Sequence, residues 1–151
     1  MNTLRIDKKL YEIEVNDKGE TISFDPDDIE LVFKLERAYK AVLKAQDNLK
    51  ADVLIIKKRK DTTKKGEMIS ENEKAIIKAY KNCFTAMRAA YDSFLGEGAC
   101  QKIFGDRNYV EMFDDLNEQL QPHFEKMKLN RENVAKKIRE KYTDKNEDVL
   151  K

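Results

Sequence analysis

The chain has 151 residues, enough for one domain with a sizeable core and too few for two independent catalytic domains. Charged residues make up 39% and hydrophobics 40%, with 5 Gly and 2 Pro, a balance that excludes a turn-rich all-β fold and favours long helices washed by solvent. Basic and acidic residues number 30 and 29, so a net charge of +1 sets up no global field toward nucleic acid or an anionic membrane, and no stretch approaches the roughly 18 apolar residues of a membrane span. The two cysteines, Cys83 and Cys100, lack a metal-type spacing and fit a reducing cytoplasm.

Over residues 1–24 the apolar positions alternate: Leu4 and Ile6, then Tyr11, Ile13 and Val15, then Ile22 and Phe24 after Asn16-Asp17-Lys18-Gly19. This predicts a β-hairpin. Asp25-Pro26-Asp27-Asp28 supplies a cap acceptor, a proline for the first helical position and two acids for the positive end of the dipole, so a long helix is expected over 25–60. Residues 61–69 lose periodicity and read as a basic loop. The run that feeds it, 57–65, holds Lys57, Lys58, Arg59, Lys60, Lys64 and Lys65. Ser70-Glu71-Asn72-Glu73 is a capping box that restarts the helix, with a stripe from Ile76 through Tyr80, Phe84, Met87 and Tyr91 to Leu95. Gly96 is placed for a left-handed C-terminal cap. A short piece, Ala99 to Phe104, follows between Gly98 and Gly105. Asn108 then caps a helix that Pro122 should bend or stop, and a last amphipathic segment runs from Asn130 to Tyr142. The expected fold is mainly α with a small N-terminal β-hairpin (α+β): one domain over 1–142, about four helices in all, a helical region over 70–142, and a frayed polar tail over 143–151.

Candidate chemistry is sparse. His123 is the only histidine, so any Ser/His/Asp or Cys/His relay must use it. Cys83 and Cys100 sit in apolar company, where a thiol behaves as a small hydrophobe. A di-iron Glu-x-x-His pattern needs an acid where Leu120 stands, and Gly96, Gly98 and Gly105 lack the strand and third glycine of a dinucleotide fingerprint. No catalytic, cofactor or metal residues are legible, and an enzyme is not expected. The basic run 57–65 has phosphate-binding charge but no aromatic between Tyr39 and Tyr80 for base stacking.

The segment Tyr91-Asp92-Ser93-Phe94-Leu95-Gly96-Glu97-Gly98-Ala99-Cys100-Gln101-Lys102-Ile103-Phe104-Gly105-Asp106-Arg107-Asn108 resembles the signature of tail assembly chaperones from long-tailed (siphovirus-type) phages and prophages of Gram-positive bacteria. The shared pattern is an acidic helix end, an aromatic-x-Gly-x-Gly turn, a small residue, then Lys-Ile-Phe-Gly and a polar cap. It extends over about 75–127, including Pro122-His123, and covers the N-terminal third only in layout. The long helix and basic loop before residue 66 depart from the family pattern. The resemblance implies a non-catalytic protein of the bacterial host cytoplasm that binds the tape measure protein and recruits tail tube (major tail) subunits.

The implied client surface is the turn made by Tyr91, Phe94, Leu95, Gly96, Gly98, Ile103, Phe104 and Gly105. The same apolar residues also fit an ordinary core stripe at i, i+3, i+4 and i+7. Gly96 and Gly105 are expected at positive φ. Self-association is expected as well, since the long first helix holds more apolar positions than a small core covers. Charge also alternates along the chain, with 5 basic and 10 acidic residues over 1–36 and 10 basic and 3 acidic over 37–65. The alternative from another class is a small nucleic-acid-binding regulator using 57–65.

Overall fold

A computed structural model describes residues 1–150, with the side chains of 129–131 and 143–150 outside the description. Among the described residues the fold is mainly helical, with one two-stranded antiparallel hairpin and four helices: β1 (Tyr11–Glu14), β2 (Thr21–Phe24), α1 (Leu31–Lys57), α2 (Glu71–Leu95), α3 (Ala99–Phe104) and α4 (Met112–Leu150). The chain divides into two compact units. Met1–Val32 with Gln101–Lys151 forms one, and Phe33–Cys100 the other.

In the first unit the hairpin is shorter than the alternation over 1–24 predicts. Tyr11 pairs with Phe24 and Ile13 with Ile22, whereas Met1 to Leu10 lies outside any strand. Asn16 builds the connection: its Oδ1 accepts from the Lys18 and Glu20 amides at 3.0 and 3.2 Å, and Gly19 turns at φ 78°. Ile22 and Phe24 are buried, and Phe24 meets Phe124 of α4 edge to face at 6.0 Å. From α3, Lys102 grips both ends of the turn region, its carbonyl accepting from Asn16 Nδ2 at 3.0 Å and its Nζ donating to the Thr21 carbonyl at 3.3 Å.

The acidic run after β2 does not start a helix at Pro26. Asp25 Oδ1 accepts from the Asp27 amide at 3.0 Å and Asp28 Oδ1 from the Glu30 amide at 2.9 Å, so two successive side-chain turns use the amides and α1 begins at Leu31. Nor does Pro122 end its helix. α4 runs through it, because Leu116, Leu120 and Met127 form a continuous buried stripe on both sides and only one backbone hydrogen bond is forfeited at the exposed proline. The segments expected from Asn108 and from Asn130 are therefore one helix, which begins at Met112 with Asp114 and Asp115 in its first turn. The backbone of 143–150 continues α4. The fraying expected for the 143–151 tail falls on side chains, and on Lys151, that lie outside the described residues.

In the second unit α1 buries Ala38, Val42, Ala45 and Ile56, with Leu35, Leu49 and Val53 half-buried along the same line, at spacings of three and four like a coiled-coil seam. On α2 the buried stripe is Ala79, Cys83, Phe84, Met87, Ala90, Tyr91, Phe94 and Leu95.

Candidate functional site

The segment singled out in the sequence is a closely built turn. Tyr91, Phe94 and Leu95 occupy the last turn of α2 and are 6%, 8% and 3% exposed, so their side chains belong to the core stripe and present no surface. Gly96 ends α2 at φ 115° and ψ 153°, a conformation open essentially to glycine alone, and its amide donates to the Asp92 carbonyl at 2.9 Å. Gly98 follows at φ 76°. Asp92 then reaches across the turn, its Oδ1 accepting from the Cys100 amide at 2.8 Å and so capping the start of α3. Gly96 and Glu97 are what the turn leaves exposed.

The Cys100 thiol donates to the Arg88 carbonyl at 3.6 Å. Burial, with the Asp92 carboxylate beside it, pushes the thiol up to about 12, and burial alone raises Cys83. Both thiols are protonated at neutral pH and poor nucleophiles. Among the described residues no group of three or more His, Cys, Asp and Glu side chains is placed to hold a metal ion.

Beyond the unit boundary Ile103 and Phe104 are half-buried on α3, and Gly105 closes it at φ 63° with its amide donating to the Gln101 carbonyl at 2.9 Å. Phe104 stacks edge to face on Phe113 at 5.7 Å and on Tyr109 at 6.3 Å, and the Arg107 guanidinium lies 4.5 Å from the Tyr109 ring centroid. Both Gly96 and Gly105 have the positive φ that the sequence predicts. In each half of the signature the aromatic residues serve packing and the glycines serve turns.

The basic loop has a structural task that its composition hides. The Glu71 amide donates to the Thr62 carbonyl at 2.8 Å, the Asn72 amide to Asp61 Oδ1 at 3.1 Å and Asn72 Nδ2 to the Arg59 carbonyl at 3.0 Å. With Ser70 Oγ accepting from the Glu73 amide at 3.1 Å, the loop backbone and two side chains cap α2. The Ser70 hydroxyl and the Asn72 amide hold the Asp61 carboxyl below its ordinary range. Lys57, Lys58, Arg59 and Lys60 are exposed, and Lys64 pairs with Glu71 at 3.8 Å.

One exposed apolar face in this unit lies on α1. Tyr39, Leu43 and Leu54 are 57%, 42% and 61% exposed, and their spacing of four and eleven residues puts them on one side of the helix, about a quarter turn or more from the buried seam. The sequence shows that α1 has surplus apolar positions; which of them the core leaves uncovered is a tertiary fact. His123, which the sequence offers as a catalytic base or metal ligand, pairs with Tyr11, a contact that no local pattern announces.

Among the described residues no helix is long and apolar enough to cross a membrane. The sequence pattern that defines the Family of unknown function (DUF6673) matches residues 18–148. No curated protein and no solved structure matches the chain.

Proposed function

The chain belongs to that family, and we propose that it is a non-catalytic tail assembly chaperone of a long-tailed phage or prophage, holding tape measure protein and tail tube subunits while the tail polymerises. The resemblance of Tyr91–Asn108 to the signature of such chaperones names the clients. The observation that carries the binding half of the reading is the uncovered stripe Tyr39, Leu43 and Leu54 on α1. An amphipathic client helix laid along α1 would bury these three side chains, with Tyr39 as an aromatic anchor. In this reading the glycine turn at 96–98 supports the helices rather than touching the client itself. The gain from so few side chains is largely offset by the cost of association, which suits a factor that must let go.

The test is co-expression of the chain with a tail tube protein and with fragments of a tape measure protein. The reading expects at least one of them to co-purify; capture of neither contradicts it.

A further inference from the structure

Within the first unit, a free segment and a groove match each other. Met1 to Leu10 is exposed throughout, with Leu4 at 90% and Ile6 at 80%. These two residues stand two apart, so in an extended chain both side chains point the same way. Arg5, Lys8 and Lys9 outnumber the single acid Asp7, which makes the segment cationic.

The groove, about 290 Å³, lies between Ile29 and Val32 on one wall and Val134 and Ile138 of α4 on the other. Since a cavity of about 150 Å³ accepts a benzene molecule, it has room for two aliphatic side chains. Among the described residues Pro26, Asp27, Asp28 and Ala135 make up the rest of the lining, and no cation is among them. Apolar alternation with cations thus faces an apolar cleft edged by carboxylates.

We propose that Met1–Leu10 of one copy docks in this groove of a second copy, placing Leu4 and Ile6 between Ile29 and Ile138 and the arm's cations beside Asp27 and Asp28. The pairing of Tyr11 with Phe24 starts the arm right beside the run that forms the groove wall, yet within one chain Leu4 and Ile6 are left in solvent and the groove open. Each copy therefore offers one arm and one acceptor, a heterologous contact that propagates from copy to copy. This goes beyond the client-binding reading and does not depend on it, since only this chain takes part.

Sedimentation velocity of the full chain over a range of concentrations tests the proposal. The wild-type chain should associate as concentration rises. An arm variant, Leu4→Asp with Ile6→Asp, and a groove variant, Ile29→Asp, should each stay monomeric; all three side chains are exposed, so melting temperatures should hold. Mixed in equal amounts, the two variants should form a one-to-one dimer, because one keeps a sound groove and the other a sound arm. Reversing charge with Arg5→Glu and Lys8→Glu, which removes no apolar contact, should raise the association Kd at least tenfold. A wild-type chain that is monomeric at every concentration, as docking of the arm on its own groove would give, overturns the proposal. So do variants that associate like wild type, or a mixture that stays monomeric.

Discussion

The Tyr11 hydroxyl hydrogen-bonds Nδ1 of His123 at 2.6 Å, and the two rings meet edge to face with centroids 5.5 Å apart. Residues 112 positions apart thereby fasten the first strand to the N-terminal third of α4. A part-buried hydrogen bond of this kind contributes about 1 kcal/mol. Tyr11→Phe should lower unfolding free energy by about that amount, and so should His123→Phe. Urea melts of both single variants and the double variant should give a coupling energy of about 0.5–1.5 kcal/mol. Strict additivity would show that the pair does not interact in solution.

The two helix-ending glycines should differ in their tolerance. A Cβ at either Gly96 or Gly105 meets nothing within 4 Å, so the cost of alanine is backbone strain alone. Gly105, at φ 63°, lies in the left-handed region that L residues visit, and Gly105→Ala should cost about 1 kcal/mol, with Gly105→Asn milder. Gly96, at φ 115° and ψ 153°, lies where L residues hardly go, and Gly96→Ala should cost about 1–3 kcal/mol. Thermal melts that reverse this order would contradict the turn geometry.

Cys100 ties the turn to alkaline stability. Its thiol is pushed from an ordinary 9.0 up to about 12, so the unfolded chain gives up this proton before the folded one does. The stabilisation is complete below about pH 9 and is lost progressively as pH rises toward 12. Cys100→Ala should flatten the fall in unfolding free energy across that window. In the native wild-type chain at pH 8, a thiol reagent should label Cys100 far more slowly than in denaturant; equal rates would show that the thiol is neither buried nor held protonated.

Much of this architecture was legible because local signals act locally. Ser70 and Glu73 marked the start of α2, Gly96 marked its end, and the Tyr11–Phe24 alternation marked the hairpin. The fold departs from the local signals where one local rule meets a competing one. Asp25 and Asp28 resemble helix caps but spend their oxygens on side-chain turns, and Pro122 is outweighed by the buried stripe of Leu116, Leu120 and Met127. Composition shows only charge in the basic loop, yet its Thr62 carbonyl and Asp61 carboxylate cap α2, contacts that leave no mark in composition. For the candidate site, spacing alone left Phe94 and Tyr91 divided between core and client surface, and burial decides that their side chains are core.

Client binding on α1 is measured most directly by titrating a labelled tape measure fragment with the wild-type chain and with a Tyr39→Lys, Leu54→Lys double variant. Both side chains are more than half exposed, so the variant should melt within a degree or two of wild type. The wild-type chain should bind saturably and the variant with a Kd at least tenfold weaker, corresponding to a loss of about 1.4 kcal/mol. Equal affinity of the two proteins, or no binding of wild type to any part of the tape measure or tail tube protein, would contradict client binding on α1.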